Sequence, residues 1–207
     1  MGAILSILLV ILLLMIACVV VVVFLFRMRV IPRYLMTYET YETSLDGIKL
    51  SVAGLRRDAH DDLVVLYRGP RSRGFLHETG LGQLVDAVVV CPDRLPRASR
   101  LRDRFPARRL LLVGEGVGLA ACRAMAGDDD RVDAVAGCPA GIVLQGAPRC
   151  PVLLCLGDDD TTTPPHGKNV IVRRLRGRGW LHGATREILK FLDKHRNFSP
   201  DRKGWSR

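Results

Sequence analysis

Residues 108–127 read RRLLLVGEGVGLAACRAMAG. The apolar run from Leu110 to Val113 has strand length and is hydrophobic at every position, the pattern of a strand covered on both faces. Three glycines follow within five residues, Gly114-Glu115-Gly116-Val117-Gly118, and the chain then passes directly into a stretch of small residues suited to a closely packed helix. Side chains at 114 and 118 would stand between strand and helix if the turn were tight, so glycine at both positions predicts a helix folded back almost onto the strand. A dinucleotide fingerprint is the rival reading. Its spacing is G-x-G-x-x-G and it normally opens its fold, whereas here a hairpin and two strands precede the turn.

Working outward, TYETYETSLDGIKLSVAG at 37–54 reads as two strands joined through Asp46-Gly47, a strong hairpin signal. Further short apolar runs follow at 63–67, 87–91, 110–114, 132–137, 152–156 and 169–175, with helical patterns near 79–86, 97–105, 117–126 and 184–196. The last helix places Ile188, Leu189 and Leu192 on one face. A hairpin followed by alternating strands and helices predicts an α/β fold: a mostly parallel sheet with antiparallel strands at its N-terminal edge.

The turn at 114–118 resembles the nucleophile elbow G-x-S-x-G of the α/β-hydrolase superfamily, with Gly116 in the place of the serine. The resemblance extends along residues 37–196 and is similar to the monoacylglycerol-lipase and membrane-anchored serine-hydrolase branches. TSLDGIKLSVAG resembles their opening hairpin. LVVLYRGP resembles the third strand and its oxyanion loop, with Arg68-Gly69 where the family has His-Gly. AVVVCPDRLPRAS resembles the fourth strand and its loop, keeping Pro92, Asp93 and Ser99 but not the glycines. PVLLCLGDDDTTTPP resembles the strand and turn that deliver the catalytic acid, which falls on Asp160, and GWLHGATREILKFLDKH resembles the closing segment, with His182 in the base position. The resemblance implies an oxyanion hole from the backbone of Val117 and of Arg68-Gly69, with the Arg68 side chain as an added anion ligand. Only about a dozen residues separate the sixth strand from the seventh, so the lid domain of the lipases is not expected.

Acyl transfer by such a triad needs a hydroxyl or thiol at the elbow, and glycine supplies neither. The sequence therefore predicts a pseudo-hydrolase that binds an anionic lipid, a fatty acid or a protein partner. Residual lipid or ester hydrolysis through Asp160 and His182 is the second reading. A metal-dependent transferase built on Asp158-Asp159-Asp160 is the third, although the partner motifs such sites need on other strands are missing. Neither of the first two readings calls for a cofactor or a metal.

No charged residue occurs from Gly2 to Phe26, a stretch long enough as a helix to cross the ~30 Å hydrocarbon core of a bilayer. The run has no basic start and exceeds the length of a cleaved signal peptide. Residues 1–26 are thus expected to be a single-pass anchor, 27–36 a basic linker, 37–197 the α/β domain and 198–207 a basic tail. Arg27, Arg29 and Arg33 follow the span, which places the body on the cytoplasmic face by the positive-inside rule. The opening MGAILS also matches the N-myristoylation pattern at Gly2. The 207 residues carry 31 Lys+Arg against 21 Asp+Glu, a net charge of +10 that favours membrane surfaces or acidic partners. With 6% aromatics and no nucleic-acid-binding motif, nucleic acid is not an expected partner. Five cysteines lie in the body, an odd number, mostly in apolar runs where reduced thiols are the common case.

Overall fold

A computed structural model describes residues 2–27, 40–54, 60–70, 72–84, 87–144, 149–165, 167–176 and 183–195. The chain divides into two units, Met1–Thr37 and Tyr38–Arg207. The first contains α1 (Gly2–Arg27), a 26-residue α-helix without a charged residue before Arg27. Its described side chains, Ser6 and residues 9–21, are all exposed. Taken over the described residues, no helix is long and apolar enough to cross a membrane.

The second unit is an α/β sheet. Its strands are β1 (Thr40–Leu45), β2 (Ile48–Ala53), β3 (His60–Tyr67), β4 (Ala87–Pro92), β5 (Ala107–Glu115), β6 (Ala134–Cys138), β7 (Val152–Leu156) and β8 (Val170–Arg174). Among the described residues they form one sheet in the order β1-β2-β4-β3-β5-β6-β7-β8. β1 pairs antiparallel with β2, and β2 antiparallel with β4; the remaining pairs are parallel. The hairpin closes in register, Leu45 opposite Ile48, because Asp46 and Gly47 both take positive φ, 50° and 77°, as a two-residue turn between twisted strands requires.

Alternate residues of each strand feed two cores, which explains the continuous apolar runs. Leu63, Val65, Leu110 and Leu112 pack with α3 (Ala98–Arg104) and α4 (Val117–Asp128) through Leu101, Leu119 and Cys122. Val64, Leu66, Leu111 and Val113 pack on the opposite face with α2 (Phe75–Thr79) and α5 (Ala184–His195) through Phe75, Leu76, Ile188, Phe191 and Leu192. The α5 face is therefore built on Phe191 as well as Ile188 and Leu192, with Leu189 at its margin.

One expected helix shifts. The pattern near 79–86 predicted a helix, but α2 ends at Thr79 and a short 3-10 turn, Leu81–Gln83, follows. Gly80 between them adopts the left-handed conformation, φ 64° and ψ 8°, which ends an α-helix. The apolar pair that anchors this segment is Phe75-Leu76, both fully buried, rather than a pair further along.

Candidate functional site

The elbow forms where β5 meets α4. Gly116 has φ 55° and ψ −127°, a conformation that side chains of L-residues rarely adopt. Its N–H donates to the Cys138 carbonyl at 2.9 Å, and its carbonyl accepts the Ala120 N–H at 3.2 Å, starting α4. The flanking glycines are required by contact. A Cβ on Gly114 would lie 2.5 Å from Leu119 Cα, and one on Gly118 would overlap the Tyr67 carbonyl and lie 2.6 Å from Arg68 Cα. At Gly116 the demand is conformational only, since a Cβ there meets Ile142 Cδ1 at 3.7 Å and Ala140 Cβ at 3.9 Å, both ordinary contacts. Val117, the first residue of α4, is 62% exposed, and its Cγ2 would stand 3.4 Å from a Cβ on Gly69. The elbow and the loop after β3 thus come together as their sequences suggest.

That loop has a different chemistry from the one expected. The Arg68 guanidinium, offered by the sequence as an anion ligand, is engaged by two carboxylates: Nε donates to Glu115 at 2.6 Å, and Nη1 and Nη2 donate to Glu78, Nη1 at 3.1 Å. Its carbon also lies 4.6 Å above the centre of the Phe75 ring. The Glu78 hydrogen bond chiefly raises its pKa, against the lowering effect of burial, with Glu115 adding to the rise. The N–H groups of Arg68 and Gly69 both donate to Ser72 Oγ at 3.1 Å, and that hydroxyl donates to the Gly69 carbonyl. Ser72 is buried and folds the loop onto itself. Both corrections have one cause: Arg-Gly-Pro-x-Ser is a self-contained turn, and its partners Glu78 and Glu115 are remote in sequence. Ser72 was legible as a turn-forming hydroxyl three residues after Gly69, whereas nothing local marked Glu78.

Asp160 sits in the turn after β7, its N–H donating to Gly157 at 3.1 Å. Its Oδ1 accepts the Thr162 N–H at 2.9 Å and the Thr162 hydroxyl. Burial would raise its pKa, but hydrogen bonds from Thr162 and from the backbone of Gly141 and Ala140 outweigh it and hold the carboxyl below its usual range. The donors Ala140 and Gly141 belong to a tight turn closed by Ile142 N–H to Pro139 O, with φ of 51° and 80°. Successive N–H groups in such a turn make a concave, anion-favouring surface, and this one adds to the lowering at Asp160. The same turn flanks Gly116, so the elbow and Asp160 both lie beside residues 140–142. His182 and the preceding segment from 177 lie outside the described residues, as do the linker beyond Arg27 and the basic tail.

A cleft of about 390 Å³ opens at the carboxyl ends of β5 to β8, lined among others by Glu115, Cys138, Cys155, Asp160, Leu175 and Ala184. Glu115 lines this cleft while holding Arg68. Asp158, Asp159 and Asp160 do not converge with other ligands: among the described residues no group of three His, Cys, Asp or Glu side chains could hold a metal ion. All six cysteines are free thiols. Cys122, the nearest thiol along α4, is fully buried in the core on the α3–α4 face of the sheet, so it does not supply a nucleophile to the elbow.

No family profile and no curated protein matches the sequence. Solved structures do match in fold. Carboxylesterase CesB from Bacillus subtilis superposes with a TM-score of 0.56 at 11% identity, covering 78% of this chain and 94% of its own. A bacterial membrane phospholipase A described as a virulence factor gives 0.55 at 14%, covering 91% and 98%. A soluble variant of monoglyceride lipase from Saccharomyces cerevisiae, solved with a substrate analogue, gives 0.54 at 10%, covering 79% and 97%. The fold is therefore that of the α/β-hydrolases, a class whose solved neighbours here are esterases and lipases.

Proposed function

We propose that this chain is a membrane-anchored pseudo-hydrolase of the α/β-hydrolase superfamily, a binding module for a lipid, a fatty acid or a protein rather than an esterase. The observation that carries this reading is Gly116: it occupies the elbow with the backbone twist a nucleophile would need, and it has no side-chain atom to attack with. Glycine takes that conformation without steric cost, so stability favours it once catalysis is not selected. The only large apolar side chains exposed on the described part of the second unit are Val117 and Val143, at 62% and 77%, beside the elbow turn and the loop that flanks it, where an acyl group would find contact. With Arg68 held by Glu78 and Glu115, a carboxylate or phosphate there would rely on the backbone at the α4 N-terminus rather than on a guanidinium.

The anchor is residues 1–26, with the body on the cytoplasmic face. The run of α1 before Arg27, which carries no charged residue, motivates this assignment. N-myristoylation at Gly2 would add little to a full span. A second reading, water activated by His182 as base with Asp160 orienting the histidine, draws support from the lowered pKa that favours the Asp160 carboxylate. Ester turnover by the purified protein tests both. The pseudo-hydrolase reading expects none above the Asp160→Ala, His182→Ala double variant; robust turnover lost in that variant would overturn it and favour the second.

A further inference from the structure

Cys138 is the last residue of β6 and Cys155 the penultimate residue of β7, its parallel neighbour. The pairing of Val135 with Val152, Ala136 with Leu153 and Gly137 with Leu154 carries forward to set Cys138 opposite Cys155. Both belong to the same core face, that of Ala134, Ala136 and Leu153, so the two side chains leave the sheet on one side. Both line the cleft at the carboxyl ends of the strands, Cys155 buried and Cys138 partly open to it. Neighbouring strands lie about 4.7–4.9 Å apart, within the Cα separation that a disulfide spans.

We propose that Cys138 and Cys155 are a redox-active cross-strand pair, closed to a disulfide by hydrogen peroxide entering the cleft. Cys138, the more accessible, attacks the peroxide as thiolate: an S–O bond forms, the O–O bond breaks, and water leaves after protonation, giving a sulfenic acid. The Cys155 sulfur then attacks that sulfur, the S–S bond forms and the S–O bond breaks, releasing a second water. Two thiols are oxidised by two electrons and one peroxide is reduced to two waters.

The surroundings slow both the formation of the bridge and its opening. Burial, then Cys155, Glu115 and Asp160 push the Cys138 thiol up, and burial with Glu187 pushes Cys155 up to about 12 against the opposing effect of Arg173. The cleft stabilises neither thiolate, so the bridge forms slowly and, because each sulfur is then a poor leaving group toward an attacking thiol, a bridge once formed is also slow to open. The consequence reaches the elbow. The Cys138 carbonyl accepts the Gly116 N–H, and Cys138 leads into the 139–142 turn beside Asp160. Bridging ties that segment to β7.

The test is peroxide treatment of the full chain, followed by thiol titration after denaturation and non-reducing peptide mapping. Expected are the loss of two thiols, a dithiothreitol-reversible link between tryptic peptides 132–149 and 150–168, and a rate rising about tenfold per pH unit from neutral upward. Cys150 shares the second peptide, so the link must persist in Cys150→Ser and vanish in Cys155→Ser. Retention of all thiols, a link that requires Cys150, or accumulation of sulfinic acid at Cys138 without a link would each overturn the proposal. If a variant fails to fold, fragmentation of the linked wild-type peptides between Cys150 and Cys155 assigns the bridged sulfur, and a link carried by Cys150 overturns the proposal.

Discussion

Two segments approach the empty elbow, and they are built on opposite principles. The β5–α4 turn is shaped by contact: Gly114 and Gly118 exist because backbone occupies the space a side chain would need, and Gly116 because the backbone must twist. The loop after β3 is shaped by polar partners: Ser72 takes the N–H groups of Arg68 and Gly69, and Glu78 and Glu115 take the guanidinium. On the pseudo-hydrolase reading proposed above, the first segment would be a catalytic elbow without its reactive atom, and the second an oxyanion loop whose N–H groups turn inward to Ser72. A site can thus preserve its shape where packing enforces it and change its chemistry where only hydrogen bonds do.

The comparison can be broken most severely at Gly118. A methyl group there overlaps Tyr67 and Arg68 backbone, and neither a rotamer change nor the better helix propensity of alanine relieves it. Gly118→Ala is expected to cost about 3 kcal/mol in denaturant unfolding. Ser72→Ala comes next: it strands two loop N–H groups next to a buried position, with an expected loss of about 2 kcal/mol. If Ser72→Ala instead matched Gly118→Ala, the loop would be as tightly enforced as the turn and the distinction would fail.

Arg68→Gln should cost far less, about 0.5 kcal/mol and declining with salt, because the Arg68 and Glu78 side chains are 38% and 50% exposed. The smallest effect concerns Asp160. Its folded pKa lies below the unfolded value, so its contribution is present above about pH 4 and is lost as pH falls through the folded value. Wild type should therefore lose stability more steeply than Asp160→Asn on acidification below pH 4, read from thermal melts across that range. Parallel pH profiles would remove the hydrogen-bonded carboxylate from the account.

The difference between the two segments also explains what could be read in advance. The strands were legible because burial on both faces leaves no polar position in Leu63–Leu66 or Leu110–Val113. The hairpin was legible because Asp46-Gly47 has few other uses, and the elbow because its three glycines have a steric reason. The ion pairs of Arg68 were not legible because its partners lie 10 and 47 residues away and no local pattern announces them. The α2 segment was displaced because Gly80, a helix stop, was read as lying inside the helix. Asp160 lies in the turn its sequence suggests, while the neighbouring Pro139–Ile142 turn depends on two positive φ angles that Pro-Ala-Gly does not advertise.

The central claim is that Gly116 marks a nucleophile position within an otherwise inherited site. Gly116→Ser places a hydroxyl where a Cβ meets only ordinary contacts, at a strain of about 1–3 kcal/mol for a non-glycine residue with φ 55°. The measurement is covalent labelling by a fluorophosphonate probe, comparing wild type, Gly116→Ser, and Gly116→Ser combined with His182→Ala. The account predicts no labelling of wild type, labelling of the serine variant, and its loss in the double variant. A folded Gly116→Ser protein that never labels, or one that labels equally without His182, would contradict it.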